Sequence, residues 1–191
     1  MSKRIALLSA AAFAALALTA TVAAPVYAQE KTVMVGGAAM FPSKNIIQNA
    51  VNSRDHTTLV AAVKAAGLVS TLEGKGPFTV FAPTNEAFGM LPDGTVDTLL
   101  KPENKPMLTK ILTYHVVAGD YTAAKLRAAI MKGHGTAMLM TVSGGKLWVM
   151  WQDGHFVIKD EKGGMAMVTI PDVIQSNGVI QVVDHVLMPA S

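Results

Sequence analysis

The chain has 191 residues, with 16 lysines and arginines, 13 aspartates and glutamates and no cysteine. Without cysteine the protein can form neither disulfides nor thiolate metal sites, and cysteine catalysis is excluded. The formal charge of +3 is small for this length. We expect no nucleic-acid partner, because such a balance of charges gives no strongly basic surface.

Residues 1–28 have the pattern of a cleaved signal peptide. Lys3 and Arg4 precede an uncharged apolar run, and the run closes in Val26-Tyr27-Ala28, a small-x-small sequence that signal peptidase accepts. An uncleaved membrane anchor is the alternative, but the cleavage pattern and the polar residues that follow favour removal. We therefore predict a secreted or periplasmic protein that begins at Gln29 and has no transmembrane segment after cleavage.

Residues 29–42 contain Gly36-Gly37 and show no sustained periodicity, which predicts a flexible N-terminal stub. The remaining length, residues 43–189, suits one domain with a single substantial core.

The first half of this domain has the spacing of helices. From Asp55 onward, apolar residues recur every three or four positions, and polar residues precede them where a helix cap belongs. Gly67 stands at the position of a left-handed C-terminal residue. The pattern predicts a helix that ends at Gly67, with a short second turn through Leu72.

The stretch GPFTVFAPTNEAF, residues 76–88, changes from strand to helix in its middle. Residues 78–81 are β-branched and aromatic, and Pro83 ends the strand because it has no amide donor. Thr84 is a good N-cap for the helix that follows, and Glu86 lies in its first turn. Capping accounts for the polar residues at this junction, so the stretch predicts a corner in the fold rather than a reactive site.

Further short elements follow this corner. The patterns predict helices at 96–100, from Asn104 onward and at 122–130, and a brief strand at 114–117 that Gly119 closes.

Beyond Thr136, short alternating runs are separated by glycine pairs and by Asp153-Gly154, as in an antiparallel meander. The predicted strands are 136–142, 147–152, 156–159, 165–170 and 178–188. Helices first and strands afterwards, with one strand placed early, predict an α+β domain.

Three segments together resemble the fasciclin domain family. GPFTVFAPTNEAF at 76–88, TYHVV at 113–117 and VIQSNGVIQVVDHVLMP at 173–189 are similar to the two end motifs and the central Tyr-His motif of that domain, in the same order. The resemblance covers residues 43–189. It implies a fasciclin-like wedge of two packed, mainly antiparallel β-sheets with several short helices against one side. It also implies a secreted or surface module for adhesion, with no catalysis common to the family.

The resemblance gives a structural role to the residues that match its end motifs. These are Phe78, Val80, Phe81, Pro83, Thr84, Asn85, Phe88, Asn177, Gly178 and Asp184.

No pattern typical of catalysis is present. The sequence lacks His-Glu-x-x-His, Gly-x-Ser-x-Gly and phosphate-binding loops. Asp160-Glu161 is the only adjacent acidic pair. Neighbouring side chains on an extended chain point to opposite faces, so the two carboxylates cannot act together on one bond of a substrate. We expect no enzyme activity, no catalytic residue, no cofactor and no carboxylate metal site.

Tyr114 and His115 are candidates for partner binding, since this region is associated with receptor contact in animal fasciclin domains. The favoured alternative for His115 is that one ring nitrogen donates to an internal acceptor and fixes how the central strand meets the end motifs. Asp184-His185 resembles a fragment of a metal site or proton relay. Neighbours in a strand point apart, so a solvated pair is the favoured interpretation.

The predicted meander separates apolar residues into two faces. Leu139, Val149, Ala166, Val168 and Ile170 fall on one face. The other, which we call the methionine face, consists of Met138, Met140, Trp148, Met150, Met165 and Met167. Three interpretations stay open: these side chains pack under helices or fill gaps, they form an adaptable surface for a partner or lipid-like ligand, or their thioethers hold Cu(I).

The sequence therefore predicts a secreted, non-catalytic interaction module that binds a protein, a cell-surface component or a matrix. The alternative is a periplasmic binder of a small ligand or Cu(I) on the methionine face.

Overall fold

The computed structural model describes residues 31–190. The predicted signal peptide, residues 1–28, lies outside this range. Among the described helices, none has the length and apolar character needed to cross a bilayer.

Short helices dominate the first part of the described chain, as the spacing of apolar residues predicts. They are α1 (Ile46–Ala50), α2 (Thr57–Ala66), α3 (Val69–Glu73), α4 (Asn85–Gly89), α5 (Thr95–Leu99), α6 (Lys105–Tyr114) and α7 (Ala123–Lys132). Single 3₁₀ turns lie at Arg54–His56 and Pro102–Asn104. Helix α2 ends as predicted, because Gly67 takes the left-handed conformation with φ of 74°.

Most strands belong to one seven-stranded sheet in the order β4-β3-β9-β8-β7-β6-β5. The strands of the described chain are β1 (Val33–Val35), β2 (Ala38–Met40), β3 (Phe78–Pro83), β4 (Val116–Ala118), β5 (Thr136–Met140), β6 (Lys146–Gln152), β7 (His155–Lys159), β8 (Met165–Gln175) and β9 (Gly178–Val183). Strands β3 and β9 pair in parallel, and the other pairs are antiparallel. The predicted α+β class is confirmed.

Strand β8 divides this sheet into two packed parts. Its first residues pair with β7, while pairing with β9 continues to its end through register shifts between Val168 and Ile170 and between Ile170 and Val173. Irregularities of this kind bend a strand and increase its twist. The sheet curves enough for Val117 in β4 to form an isolated bridge with Thr141, just after β5.

The curved sheet has a separate hydrophobic core on each side of β3. Val80 and Ala82 join the core under α1, α2, α3 and α6, together with Ile180 of β9. Phe81 points the other way into the core enclosed by the curved sheet, where it joins Leu126 of α7. Strand β3 is therefore buried on both faces, as its alternation of apolar residues predicts.

The prediction of a flexible stub is wrong for residues 33–40. Strands β1 and β2 form a hairpin in which Val35 pairs with Ala38. The glycines that suggested flexibility supply the positive φ values of its two-residue turn, 57° at Gly36 and 76° at Gly37. Val35 and Met40 are buried in the helical core, so the hairpin is part of the domain.

The predicted strand at 114–117 begins later than expected. Tyr114 is the last residue of α6, His115 caps that helix with φ of −82° and ψ of −2°, and β4 starts at Val116. The amide of His115 still bonds to the Leu112 carbonyl, at 3.1 Å, so the helix continues into the motif.

Candidate interaction surface

Antiparallel pairing of β5 to β8 arranges the methionine face in rows. Met138 lies opposite Trp148, Trp148 lies opposite Lys159, and Lys159 lies opposite Met165. The next row, in strand order, is Thr136, Met150, Val157 and Met167. Side chains paired in this way stand side by side on one face of a sheet. The apolar residues therefore form a continuous patch across four strands.

The patch faces outward. Met138, Met140 and Met165 are 57%, 52% and 53% exposed, and the remaining members of the methionine face are half-buried. The opposite face carries the residues predicted for the core, such as Leu139 and Val149, which are buried. The predicted alternation is confirmed for Leu139, Val149, Ala166 and Val168, which share one core. It is wrong for Ile170, which follows a register shift in β8 and packs against the helical core. The interpretation that the methionine face packs under helices is wrong.

The methionine face carries positive charge and no negative charge at its strand positions. Lys146 lies opposite Met140 on β5, and Lys159 lies between Trp148 and Met165. Both lysines are exposed. The one acidic residue of β5 to β8, all of whose residues are described, is Asp172, which is half-buried and accepts from the Ala123 amide at 2.6 Å. Glu161 adjoins the face: its Oε1 accepts from the Lys146 amide at 3.0 Å, and it lines a pocket with Trp148 and Met150. The surface is thus apolar with two lysines, and one carboxylate lies at its edge.

Tyr114 does not belong to any surface. Its side chain is 0% exposed. The hydroxyl donates to the Lys146 carbonyl at 2.7 Å and accepts from the Glu161 amide at 3.0 Å. Burial raises the pKa of Tyr114 to about 12, so the hydroxyl stays protonated. The assignment of Tyr114 to partner binding is corrected, because its contacts are all internal.

His115 is buried in the same way. It is 2% exposed, with Nδ1 2.9 Å from the Ile111 carbonyl and Nε2 accepting from the Leu187 amide at 2.9 Å. Burial lowers its pKa to about 4, so the ring is neutral and each nitrogen has one role. The assignment to partner binding is therefore corrected, and the structural interpretation of His115 is the one that the geometry supports.

The 76–88 corner contains the predicted cap. Thr84 Oγ1 accepts a hydrogen bond from the Ala87 amide at 3.2 Å at the start of α4. Pro83 is the last residue of β3, and Phe88 is buried on the inner side of α4. Thr84 therefore supplies one of the acceptors that the first amides of a helix lack.

Asn85 caps a different helix from the one in which it lies. Its Oδ1 accepts from the Thr58 amide at 3.0 Å, and its Nδ2 donates to the Arg54 carbonyl at 2.7 Å. His56, at the N-cap position of α2, makes no side-chain capping bond. The expectation that residues preceding α2 would cap it is wrong, because the acceptor comes from α4.

The C-terminal motif joins three parts of the chain. Asn177 Oδ1 accepts from the Ile46 amide at 3.1 Å, and its Nδ2 donates to the Leu72 carbonyl at 2.7 Å. Gly178 pairs with Phe78 at the start of the parallel β3–β9 pair. A Cβ atom at Gly178 would lie 2.0 Å from the Phe78 carbonyl oxygen, so only glycine permits this approach. The two end motifs therefore meet in direct contact.

Asp184 and His185 interact, contrary to the expectation that they point apart. Asp184 Oδ1 lies 2.9 Å from His185 Nδ1 and also accepts from the Met167 amide at 2.7 Å. Asp184 follows the end of β9, so strand alternation does not govern the pair.

The acidic pair Asp160-Glu161 holds backbone amides. Asp160 is 3% exposed, and it accepts from the amides of Gly164 at 2.7 Å and Met188 at 2.9 Å. Glu161 accepts from the Ala190 amide at 3.0 Å, and this bond is the main reason that its pKa is lowered. Within residues 31–190, no group of three or more histidines and carboxylates is arranged to hold a metal ion.

A cavity of about 70 Å³ lies between the helices α1, α2, α3 and α6 and the sheet. His56 lines it and is 3% exposed. Its Nδ1 is 2.9 Å from Ser53 Oγ, while its Nε2 has no hydrogen-bond partner among the described residues. Periodicity cannot reveal such a site, because its walls come from segments far apart in the sequence.

Comparison with known proteins identifies the family. The model of the fasciclin domain matches residues 54–189. The chain is 46% identical over 161 residues to protein sll1483 of Synechocystis sp., covering 84% of this chain and 82% of that protein. It is 32% identical over 168 residues to the cell surface glycolipoprotein MPB83 of Mycobacterium bovis, covering 85% of this chain and 69% of that protein.

A solved structure shows the same fold. A FAS1 domain pair from the insect cell adhesion molecule fasciclin I matches with a TM-score of 0.69 and 18% sequence identity. The match covers 84% of this chain, and this chain spans 58% of that one. The family model, the sequence relatives and the fold agree, and the chain therefore belongs to the fasciclin domain family.

Proposed function

We propose that this protein is a secreted, non-catalytic interaction module that binds a protein, cell-surface or matrix partner through the methionine face. The observation that carries the proposal is the continuous outward patch on β5 to β8, with three methionines more than half exposed. Contiguous apolar patches on a domain surface mark interaction sites more often than scattered apolar residues do. Flexible thioether side chains can adapt to the shape of a partner.

The dimensions of the patch indicate a modest contact. Four strands span roughly 14 Å across, and five residues along a strand span about the same length, so the patch covers on the order of 200 Å². Stable protein interfaces bury about 800 Å² on each partner. We therefore expect either a transient contact or a larger interface in which the methionine face is the apolar centre.

A secreted location would place this face against other components of the cell envelope or matrix. The location rests on the predicted signal peptide at residues 1–28. The relative MPB83 is named a cell surface protein, and the fasciclin I pair comes from a cell adhesion molecule. These names support a role at the cell surface.

The absence of catalysis is supported by how the polar side chains are used. Asp160, Glu161 and both ring nitrogens of His115 bind backbone groups. A general acid or base needs a free position within reach of a substrate proton. Asp160 and His115 are buried and have no such position, whereas Glu161 is partly exposed and uses one site on each oxygen for a backbone amide.

Binding of Cu(I) to the methionine face is less well supported than partner binding. Thioethers are suitable ligands for Cu(I), but Lys159 lies beside both Trp148 and Met165, and Lys146 lies beside Met140. Ammonium groups at these positions repel a cation, and the Glu161 carboxylate close to Lys146 offsets only part of that positive charge.

The decisive experiment is capture of partners from an envelope extract of the native host on immobilised protein. The triple variant Met138→Ser, Met140→Ser, Met165→Ser removes the exposed centre of the patch. A matched variant, Met90→Ser, Met107→Ser, Met131→Ser, removes three methionines in or directly after helices that are 60%, 59% and 79% exposed. We expect the first variant to lose a partner that the wild type and the matched variant both retain.

Equal capture by both triple variants would show that the methionine face is not the contact. A rise in melting temperature with Cu(I) that the face variant abolishes, together with unchanged capture, would favour the metal alternative instead.

A further inference from the structure

We propose that the cavity between the helices and the sheet binds the hydroxyl-bearing end of an uncharged, largely apolar molecule, with Nε2 of His56 as its hydrogen-bond partner. None of the residues of the methionine face line this cavity. The site is therefore independent of the proposed partner surface.

The walls of the cavity come from both layers of the domain. Leu59 and Val63 of α2, Leu112 of α6, Ile180 of β9 and Val35 of the hairpin all line it and are all buried. Such a wall favours an apolar occupant, because aliphatic side chains offer no hydrogen bonds.

Other buried polar groups at the wall already have partners. Ser53 Oγ contacts Nδ1 of His56, and Thr113 Oγ1 donates to the Thr109 carbonyl at 2.7 Å. Both ring nitrogens of His115 bind backbone groups. His56 Nε2 is the buried side-chain atom that lacks a partner in the described chain.

The His56 ring is neutral at pH 7. Burial lowers its pKa, and the nearby Ala82 carbonyl and Asp55 only partly oppose this shift. The ring lies close enough to the Ala82 backbone to interact with it, but no described atom, Ala82 included, meets hydrogen-bond geometry at Nε2. A neutral ring has no charge to compensate a buried carboxylate, whose desolvation is costly. A hydroxyl group suits Nε2 better, since it can donate or accept according to the tautomer that the Ser53 contact selects.

Water is a poorer occupant than such a ligand. A buried water is stable when it makes about three hydrogen bonds. Within the described wall, His56 Nε2 offers one free position for such a bond. An apolar molecule with one hydroxyl would satisfy that atom and fill the remaining volume.

The cavity volume limits how much of the ligand is enclosed. A cavity of roughly 150 Å³ holds a molecule the size of benzene, and this one measures about 70 Å³. Its lining also includes Lys64, Thr71 and Val142, which are exposed. We therefore expect the hydroxyl end and the first few carbons to be enclosed, while the rest of the molecule extends past these exposed residues.

The test uses 1-hexanol as the probe and NMR of the isotope-labelled secreted protein as the readout. We expect saturable shifts in the methyl resonances of Leu59, Val63 and Ile180 and in the Nε2 resonance of His56. Hexanoate has the same chain length and a charge, and we expect it to bind at least tenfold more weakly. The His56→Leu variant removes the polar atom and should weaken hexanol binding about tenfold. Val63→Phe fills the cavity and should abolish binding.

His155→Leu is the matched control, because His155 is exposed in β7 and outside the cavity wall. It should bind hexanol as the wild type does. If His56→Leu does not fold, the wild-type spectra alone still test the proposal. It would be overturned if the methyl resonances of the wall did not shift up to the solubility limit of hexanol. It would also be overturned if the Nε2 resonance of His56 did not move. Tighter binding of hexanoate, or unchanged binding by folded His56→Leu, would overturn it as well.

Discussion

Nε2 of His115 accepts a hydrogen bond from the amide of Leu187 at 2.9 Å, across 72 positions of the chain. The other ring nitrogen lies 2.9 Å from the carbonyl of Ile111, in the last turn of α6. With Nε2 as acceptor, Nδ1 carries the proton and donates to that carbonyl. A single neutral ring thus ties the central helix to the C-terminal segment.

Replacing His115 by Ala should destabilise the domain by about 2–4 kcal/mol. The change removes two buried hydrogen bonds and leaves a cavity in place of the ring. Urea unfolding followed by circular dichroism measures the loss, with His155→Ala in β7 as an exposed control that should change stability by less than about 0.5 kcal/mol. Unchanged stability of His115→Ala would contradict the role that the hydrogen bonds assign to this residue.

Stability should fall as the pH drops from 6.5 to 5. Burial lowers the pKa of His115 to about 4, against 6.5 in the unfolded chain. Between these two pH values the unfolded chain binds a proton at His115 that the folded chain does not. The contribution of neutral His115 to the free energy of unfolding is therefore complete above pH 6.5 and is lost as the pH falls toward 4. For His115 alone, we expect the free energy of unfolding to be about 2 kcal/mol lower at pH 5 than above pH 6.5.

Burial lowers the pKa of His56 as well, so His56 also makes the folded state less stable as the pH falls. Urea midpoints at pH 7, 6 and 5 would reveal the trend above the range in which most carboxylates titrate. Identical midpoints at the three pH values would show that neither histidine is buried in its neutral form.

Thr84→Ala should cost about 1 kcal/mol of stability, because the Ala87 amide would lose its acceptor at the start of α4. Thr84→Ser keeps the hydroxyl and should retain most of the stability. Thermal unfolding of the two variants provides the comparison. An alanine variant as stable as the serine variant would rule out a contribution from the cap.

Asn85→Ala should be more damaging than Thr84→Ala, by about 1–3 kcal/mol relative to wild type. It removes the acceptor for the Thr58 amide and the donor to the Arg54 carbonyl together. Asn85→Asp preserves the acceptor alone and should fall between alanine and wild type in chemical denaturation. If aspartate is no better than alanine, the capping bond to α2 contributes nothing.

The sequence by itself determined the features that depend on local rules. The end of α2 at Gly67 and the cap at Thr84 follow from backbone conformation and from amides that need acceptors within a few residues. The division of the meander into Leu139 and Val149 on one side and the methionine face on the other follows from the two-residue repeat of a strand. The α+β class followed from the order of these local patterns.

Only the tertiary structure decided which local features are buried, exposed or shared between distant segments. Residues 33–40 form a hairpin packed on the domain, and not the predicted flexible stub, because Val35 and Met40 are buried in the helical core. His115 and Asn85 find their partners 72 and 27 positions away, and no local spacing encodes those distances. The exposure of the methionine face and the unpartnered Nε2 of His56 likewise depend on which elements pack together. Burial and hydrogen bonding are properties of the whole packed chain, whereas periodicity is a property of a single segment.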